Sequence, residues 1–229
     1  LESFNVHPRD KRMVFDDANH SYYFDGVKSN VSVTEKVNSY FEIFDKDRVV
    51  DNMINGSNWP RAGYLTSDGT PFTKDEILEK WDNIGTFARN KGTWLHYNIE
   101  RHFNNMVVQC LDVSPNLSEM SKFYKFEEKY LTQRGIKPYR TEWKLFGEDE
   151  MIAGTVDFVG KKEDGTYVIM DWKTTANMSQ KFTNAYNKVA REPLDHLHDC
   201  DGQKYALQLN IYRFLLQKYY GLEVSEMRI

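Results

Sequence analysis

The sequence predicts an α/β chain in which a β-sheet is flanked by helices. Residues 138–147, 152–160 and 166–173 read as consecutive strands of a meander, rich in β-branched and aromatic side chains, with a polar turn over 161–166. Helical patterns lie on both sides, roughly 84–106 and 116–134 before the strands and 203–220 after them. The last two end at Gly135 and Gly221, the residue type that closes helices in the left-handed conformation. A hydrophobic content of 40% over 229 residues supports a sizeable core.

The first part of the chain is less regular. Met13, Val14 and Phe15, a polar stretch over 16–20, and Ser21-Tyr22-Tyr23-Phe24 read as a β-hairpin spanning 13–27. Ser32-Val33-Thr34 can open a helix that places Val37, Tyr40 and Phe41 on one face. Residues 45–60 read as polar helix ending at Asn55-Gly56, and 61–75 as a loop rich in Gly, Ser, Thr, Asp and Pro. Thr73 and Glu76 resemble a capping box before a short helix that reaches Trp81. Residues 176–202 read as irregular and polar, and no repeat or low-complexity tract interrupts the chain.

Composition limits function. The net charge of −4 argues against a broadly basic surface, so binding to nucleic acid has to rest on a local groove. Two cysteines, Cys110 and Cys200, are too few for a four-thiolate cluster and suggest an intracellular, reducing compartment. No stretch has the length of a membrane-spanning helix and no signal peptide is visible. A leucine at position 1 suggests a trimmed start, and residues 223–229 read as a strand beginning, so the natural chain is expected to continue.

The chemistry concentrates in the meander. Asp157 sits in the second strand, and Asp171 and Lys173 follow the apolar run Val168-Ile169-Met170 of the third. Pairing of these strands lets Asp157 and Asp171 approach, with Lys173 two residues on and so on the face of Asp171. Two carboxylates and a lysine suit a hard divalent cation and an activated water. A carboxylate ending an apolar strand is costly unless paired or metal-bound. On the preceding helix His96 and Glu100 are four residues apart and share a face, as do Gln208 and Tyr212 on the last helix. Glu142 lies on the strand before the hairpin and can face the same place. Each of these also has an ordinary reading: a solvated hairpin charge, a core histidine, a surface glutamine beside a half-buried tyrosine, an exposed strand carboxylate.

Taken in order, these residues resemble the RecB-like branch of the PD-(D/E)XK nuclease superfamily. That branch carries a Gly-x-x-x-His-x-x-x-Glu helix, a glutamate-bearing strand, a Gly-x-x-Asp strand, an Asp/Glu-x-Lys strand and a Gln-x-x-x-Tyr helix. Here they are Gly92, His96 and Glu100; Glu142; Gly154 and Asp157; Asp171-Trp172-Lys173; and Gln208 with Tyr212. The superfamily's proline is replaced by Val156. The chain looks most like phage, viral or mitochondrial genome-maintenance exonucleases, and it lacks the cysteines of the iron–sulfur members.

The resemblance implies an α+β-like, restriction-endonuclease-like core with a central mixed sheet over 88–229. It also implies an N-terminal hairpin and helical extension over 1–87, packed on that core; in relatives such an extension shapes a passage for one strand. It casts Asp157, Asp171, Lys173 and Glu142 as catalytic. It casts His96, Asp157, Asp171 and the Trp172 carbonyl as ligands of Mg²⁺ or Mn²⁺. Gln208, Tyr212, Glu100, Thr174 and Lys144 fall on the substrate side, with Gln208 and Tyr212 positioning DNA or bracing the metal site. From the residue types alone, oxygen donors suit either ion and a histidine inclines the set to Mn²⁺. Trp94, Tyr97, Trp143 and Trp172 could stack bases and Arg89, Lys91, Lys144, Lys181, Lys188 and Arg191 could meet phosphates, although core and solvated surface are the commoner fates of such residues. The implied substrate is DNA, single-stranded or with free ends, in replication, repair or recombination. An endonuclease of restriction or flap type, and a catalytically silent nucleic-acid-binding module, are the alternatives, and RNA stays open as a substrate.

Overall fold

The computed structural model describes residues 1–108, 115–175 and 177–229. They divide into two compact units, one formed by Leu1–Glu42 with Trp94–Ile229 and the other by Ile43–Thr93. This grouping differs from a division at 87/88. The N-terminal hairpin packs with the second half of the chain because Phe24 stacks on Phe146 at 4.7 Å and the Tyr22 hydroxyl meets Thr155 Oγ1 at 3.1 Å.

In the larger unit, β1 (Met13–Asp16), β2 (Ser21–Phe24) and β3 (Val27–Lys28) form a small antiparallel sheet. The main sheet holds β4 (Val31–Ser32), β5 (Lys137–Gly147), β6 (Ile152–Lys161), β7 (Tyr167–Met170) and β8 (Val224–Arg228). β5 and β7 run antiparallel to β6, β4 runs parallel to β6, and β8 runs parallel to β7, so the sheet is mixed. The fold is α/β, consistent with a restriction-endonuclease-like core.

β6 organises the site. β5 pairs along one whole edge of it. The other edge is shared: β4 takes Ile152 and Ala153, and β7 takes Phe158 to Lys161. Residues 154–157 lie in the gap, where β6 and β7 part.

Helices cover both faces of the sheet. Ser32 caps α1 (Val33–Ser39) through a reciprocal capping box with Glu35. The last helix, α5 (Asp201–Tyr220), ends at Gly221 with φ +65°, in the left-handed conformation glycine adopts at no steric cost. Its Leu209, Tyr212, Leu215 and Leu216 form a stripe at helical spacing against Trp143, Leu145, Val156 and Val159. The opposite face carries the C-terminal part of α3 (Lys74–Phe103) and α4 (Pro115–Phe126), which continues as a π-helical stretch over Glu127–Thr132. Ile99, Phe103, Phe123 and Leu131 pack there on Phe158, Val168 and Met170.

The smaller unit contains α2 (Lys46–Ile54) and the first part of α3. Val50, Met53 and Ile77 form its core with Trp59, Tyr64, Phe72 and Trp81 around them. The Thr73–Glu76 capping box is present. The two helices expected over about 73–81 and 84–106 are one continuous helix of 30 residues. Asp82, Asn83 and Gly85 weaken it without breaking it: no proline intervenes, and an exposed helical glycine costs only about 1 kcal/mol.

Candidate active site

The site lies where β6 emerges from its pairing with β7. Continuing the β6–β7 register by one step sets Asp157 opposite Asp171, and the β5–β6 register sets Glu142 opposite Asp157. Three carboxylates therefore sit on three adjacent strands at one level of the sheet. His96 reaches them from α3, with Nδ1 3.4 Å from Glu142 Oε1 and 3.6 Å from Asp157 Oδ2. Its other nitrogen, Nε2, donates to the Trp172 carbonyl at 2.9 Å. The Trp172 backbone N–H in turn donates to Asp157 Oδ2 at 2.7 Å.

Burial sharpens the electrostatics. Asp157 is 9% exposed and Asp171 3%. Desolvation lifts the Asp157 carboxyl to about 7, with the His96 charge opposing and Asp171 and Glu142 reinforcing the rise. For His96 burial acts downward, but the Glu142 hydrogen bond and the Asp157 charge outweigh it and lift the imidazole to about 9. Glu100, one helical turn on, is pushed up by burial and by Glu142.

Lys173 Nζ stands 2.6 Å from Asp171 Oδ2 and 5.0 Å over the Tyr205 ring of α5. The ion pair is close but not aligned as a hydrogen bond. Asp171 Oδ2 is thus a buried oxygen with no hydrogen-bond donor among the described residues.

These observations fit a divalent cation. Among the described residues His96, Glu142 and Asp157 offer one donor atom each, all within 4.8 Å of one another. Carboxylate oxygens with one imidazole are the donors expected for a hard or borderline ion. The Trp172 carbonyl adjoins the set through His96. Asp171, expected as a direct ligand, falls outside the three-atom group and is engaged by Lys173, while Glu142, expected only as catalytic, belongs to it. The reason is geometric: Glu142 Oε1 lies 3.4 Å from His96 Nδ1, whereas Asp171, past the end of β7, is drawn to Lys173.

The remaining candidates separate. Glu100 and Lys144 line a cavity of about 330 Å³ beside Glu142, together with Phe15, Arg140 and Thr141. Thr174 is half-buried. Gln208, one helical turn before Tyr212, has its Nε2 3.5 Å from Thr34 Oγ1. Tyr212 is 3% exposed, packed against Val33 and Trp143, with its hydroxyl close to Gly154. Such burial suits bracing, one of the two roles expected of Tyr212. Trp94 and Trp143 are likewise core residues, and the Trp172 ring packs on Phe123, Phe126 and Phe158. Lys181 is paired with Asp201 and Lys188 with Glu42. Cys200 is buried and free, whereas Cys110 lies outside the described residues.

Tyr205 and Asp10 escaped the sequence reading. Tyr205 had a signal, since 205, 208 and 212 follow the spacing of one helical face. Asp10 had none.

A mixed sheet carrying carboxylates and a lysine at the parting of two strands, with a histidine reaching them from a helix, is the equipment of a metal-dependent hydrolase. The family model of the PD-(D/E)XK nuclease superfamily matches residues 113–228, just over half of the chain, and the chain belongs to that superfamily. Its members are nucleases that use divalent metals. Comparison with curated proteins and with solved structures finds no match.

Proposed function

We propose that the protein is a Mg²⁺- or Mn²⁺-dependent deoxyribonuclease of the RecB-like branch, an exonuclease on single-stranded or end-containing DNA in replication, repair or recombination. The observation that carries this reading is the meeting of His96, Glu142 and Asp157 around one point, with the Asp171–Lys173 pair beside it. Carboxylates outnumber cations there, which favours a bound metal ion.

In this reading His96, Glu142 and Asp157 would hold the ion, and the Trp172 carbonyl fixes the His96 ring from its other nitrogen. The ion supplies Lewis acidity at the scissile phosphate and a more acidic water. Lys173 orients the attacking water or stabilises the charge that builds on the phosphoryl oxygens. Asp171 holds the Lys173 ammonium in place, and the Tyr205 ring walls its far side. Gln208 and Tyr212 support the strand edge at Gly154. The two cysteines go with an intracellular, reducing setting.

The test is digestion of linear and covalently closed circular DNA, single- and double-stranded, with Mg²⁺, Mn²⁺ or EDTA. The expected result is metal-dependent loss of linear DNA with the closed circles intact. Cleavage of circles makes the protein an endonuclease. Binding without cleavage under every metal condition makes it a silent module, and digestion confined to RNA moves the substrate class.

A further inference from the structure

We propose that Asp10 is a positioning residue for Glu142: it clasps residues on both sides of Glu142 and thereby holds the backbone turn that aims this carboxylate at His96. The inference rests on the reading of Glu142 as a metal-holding residue.

Side chains along a strand alternate between faces, so residues three apart point to opposite sides. Arg140 and Trp143 are three apart on β5, yet both reach the same carboxylate. Arg140 Nη1 donates to Asp10 Oδ2 at 2.8 Å, and Trp143 Nε1 donates to Asp10 Oδ1 at 2.8 Å. The Arg140 guanidinium also lies 4.5 Å over the Trp143 ring. The alternation must therefore be reset between them. Glu142 has φ +44°, a left-handed conformation that is rare and strained for a residue with a side chain.

Asp10 is well placed to hold that conformation. It is anchored in its own turn, where the His7 backbone N–H donates to Oδ2 at 2.9 Å. Burial would raise its pKa, but the hydrogen bonds from Arg140, His7 and Trp143 outweigh burial and keep the carboxylate charged. Arg140 and Trp143 are themselves buried, and the Asp10 side chain, 14% exposed, meets them on the wall of the cavity beside Glu142. Asp10 does not belong to the cluster that would hold the ion, and it acts only through the backbone on either side of Glu142.

The experiment measures Mn²⁺ affinity of the full chain by the loss of the free-ion electron paramagnetic resonance signal, without substrate. The variants are Asp10→Asn, Glu142→Gln, the double variant, and Arg9→Gln. The Arg9 side chain anchors the same N-terminal turn to Glu148 and to the Phe146 carbonyl at the far end of β5, with no hydrogen bond to Asp10, so Arg9→Gln reports loosening of the segment with the clasp intact. The expected result is about tenfold weaker binding for Asp10→Asn, no change for Arg9→Gln, and no further loss when Asp10→Asn is added to Glu142→Gln. Equal weakening by Arg9→Gln, or losses that add in the double variant, overturns the proposal. Unchanged affinity in Glu142→Gln instead overturns the underlying reading of Glu142. Should Asp10→Asn not fold, Trp143→Phe removes one of the two β5 donors and leaves a smaller aromatic ring in its place; parent-like affinity in it overturns the proposal equally.

Discussion

The Trp172 backbone N–H donates to Asp157 Oδ2 at 2.7 Å, in the place where β6 and β7 no longer pair. A buried N–H needs a partner, and here a site carboxylate supplies it. The same peptide segment then presents its carbonyl to His96. Closing the fork in the sheet and assembling the site are one event.

Lys173→Ala is expected to lower cleavage at least a hundredfold while folding and DNA binding persist, since a positioned proton-transfer or charge-stabilising group contributes that much or more. Digestion of a labelled linear DNA, beside thermal melting and a binding assay, checks this. Parent-like cleavage would remove Lys173 from the mechanism.

Asp157→Asn should weaken Mn²⁺ binding tenfold or more by calorimetry. The amide oxygen can still accept from Trp172 N–H, so the fork should remain closed and the loss should be one of charge. Unchanged affinity takes Asp157 out of the ligand set.

Gly154→Ala tests the support behind the site. An added Cβ would stand 2.8 Å from Val33 Cγ2 and 2.9 Å from the Tyr212 hydroxyl oxygen. Overpacking of this kind costs about 1–3 kcal/mol. The urea midpoint should fall with an unchanged slope; a parent-like midpoint would mean that α1 or α5 yields freely.

Glu226 predicts a pH dependence of stability. The Arg134 hydrogen bond first, against burial, and then Tyr130 and Arg228 hold its carboxyl down to about 2, from an ordinary 4.5. A depressed folded-state pKa means that the unfolded chain binds the proton more readily. The stabilisation is therefore complete above about 4.5 and is lost as pH falls toward 2. Glu226→Gln should cost about 1 kcal/mol at neutral pH, the scale of a partly exposed ion pair, and progressively less between pH 4.5 and 2. A difference from the parent that stays constant across that range would contradict the assignment.

Much of the fold was legible because it is written locally. The hairpin over 13–27, the meander of β5 to β7, the Ser32 start of α1 and the Gly221 end of α5 follow from side-chain alternation, capping chemistry and glycine conformation. The expected break near residue 82 failed because turn-forming residues lower helix stability without ending a helix that no proline interrupts.

Sequence alone singled out the candidate residues and the elements they ride on: His96 on a helix, Glu142, Asp157 and Asp171 on or at the ends of neighbouring strands, Lys173 two residues beyond. Residue type and strand period are properties of adjacent positions, so one chain suffices to read them. Tertiary structure alone decided that Glu142 joins His96 and Asp157, that Tyr212 is buried, and that Asp10 reaches across to Arg140 and Trp143. Those outcomes depend on where β7 leaves β6 and on a left-handed residue in mid-strand. Neither has a local signature, because both arise from contacts between segments more than a hundred residues apart or from the shape of the whole sheet.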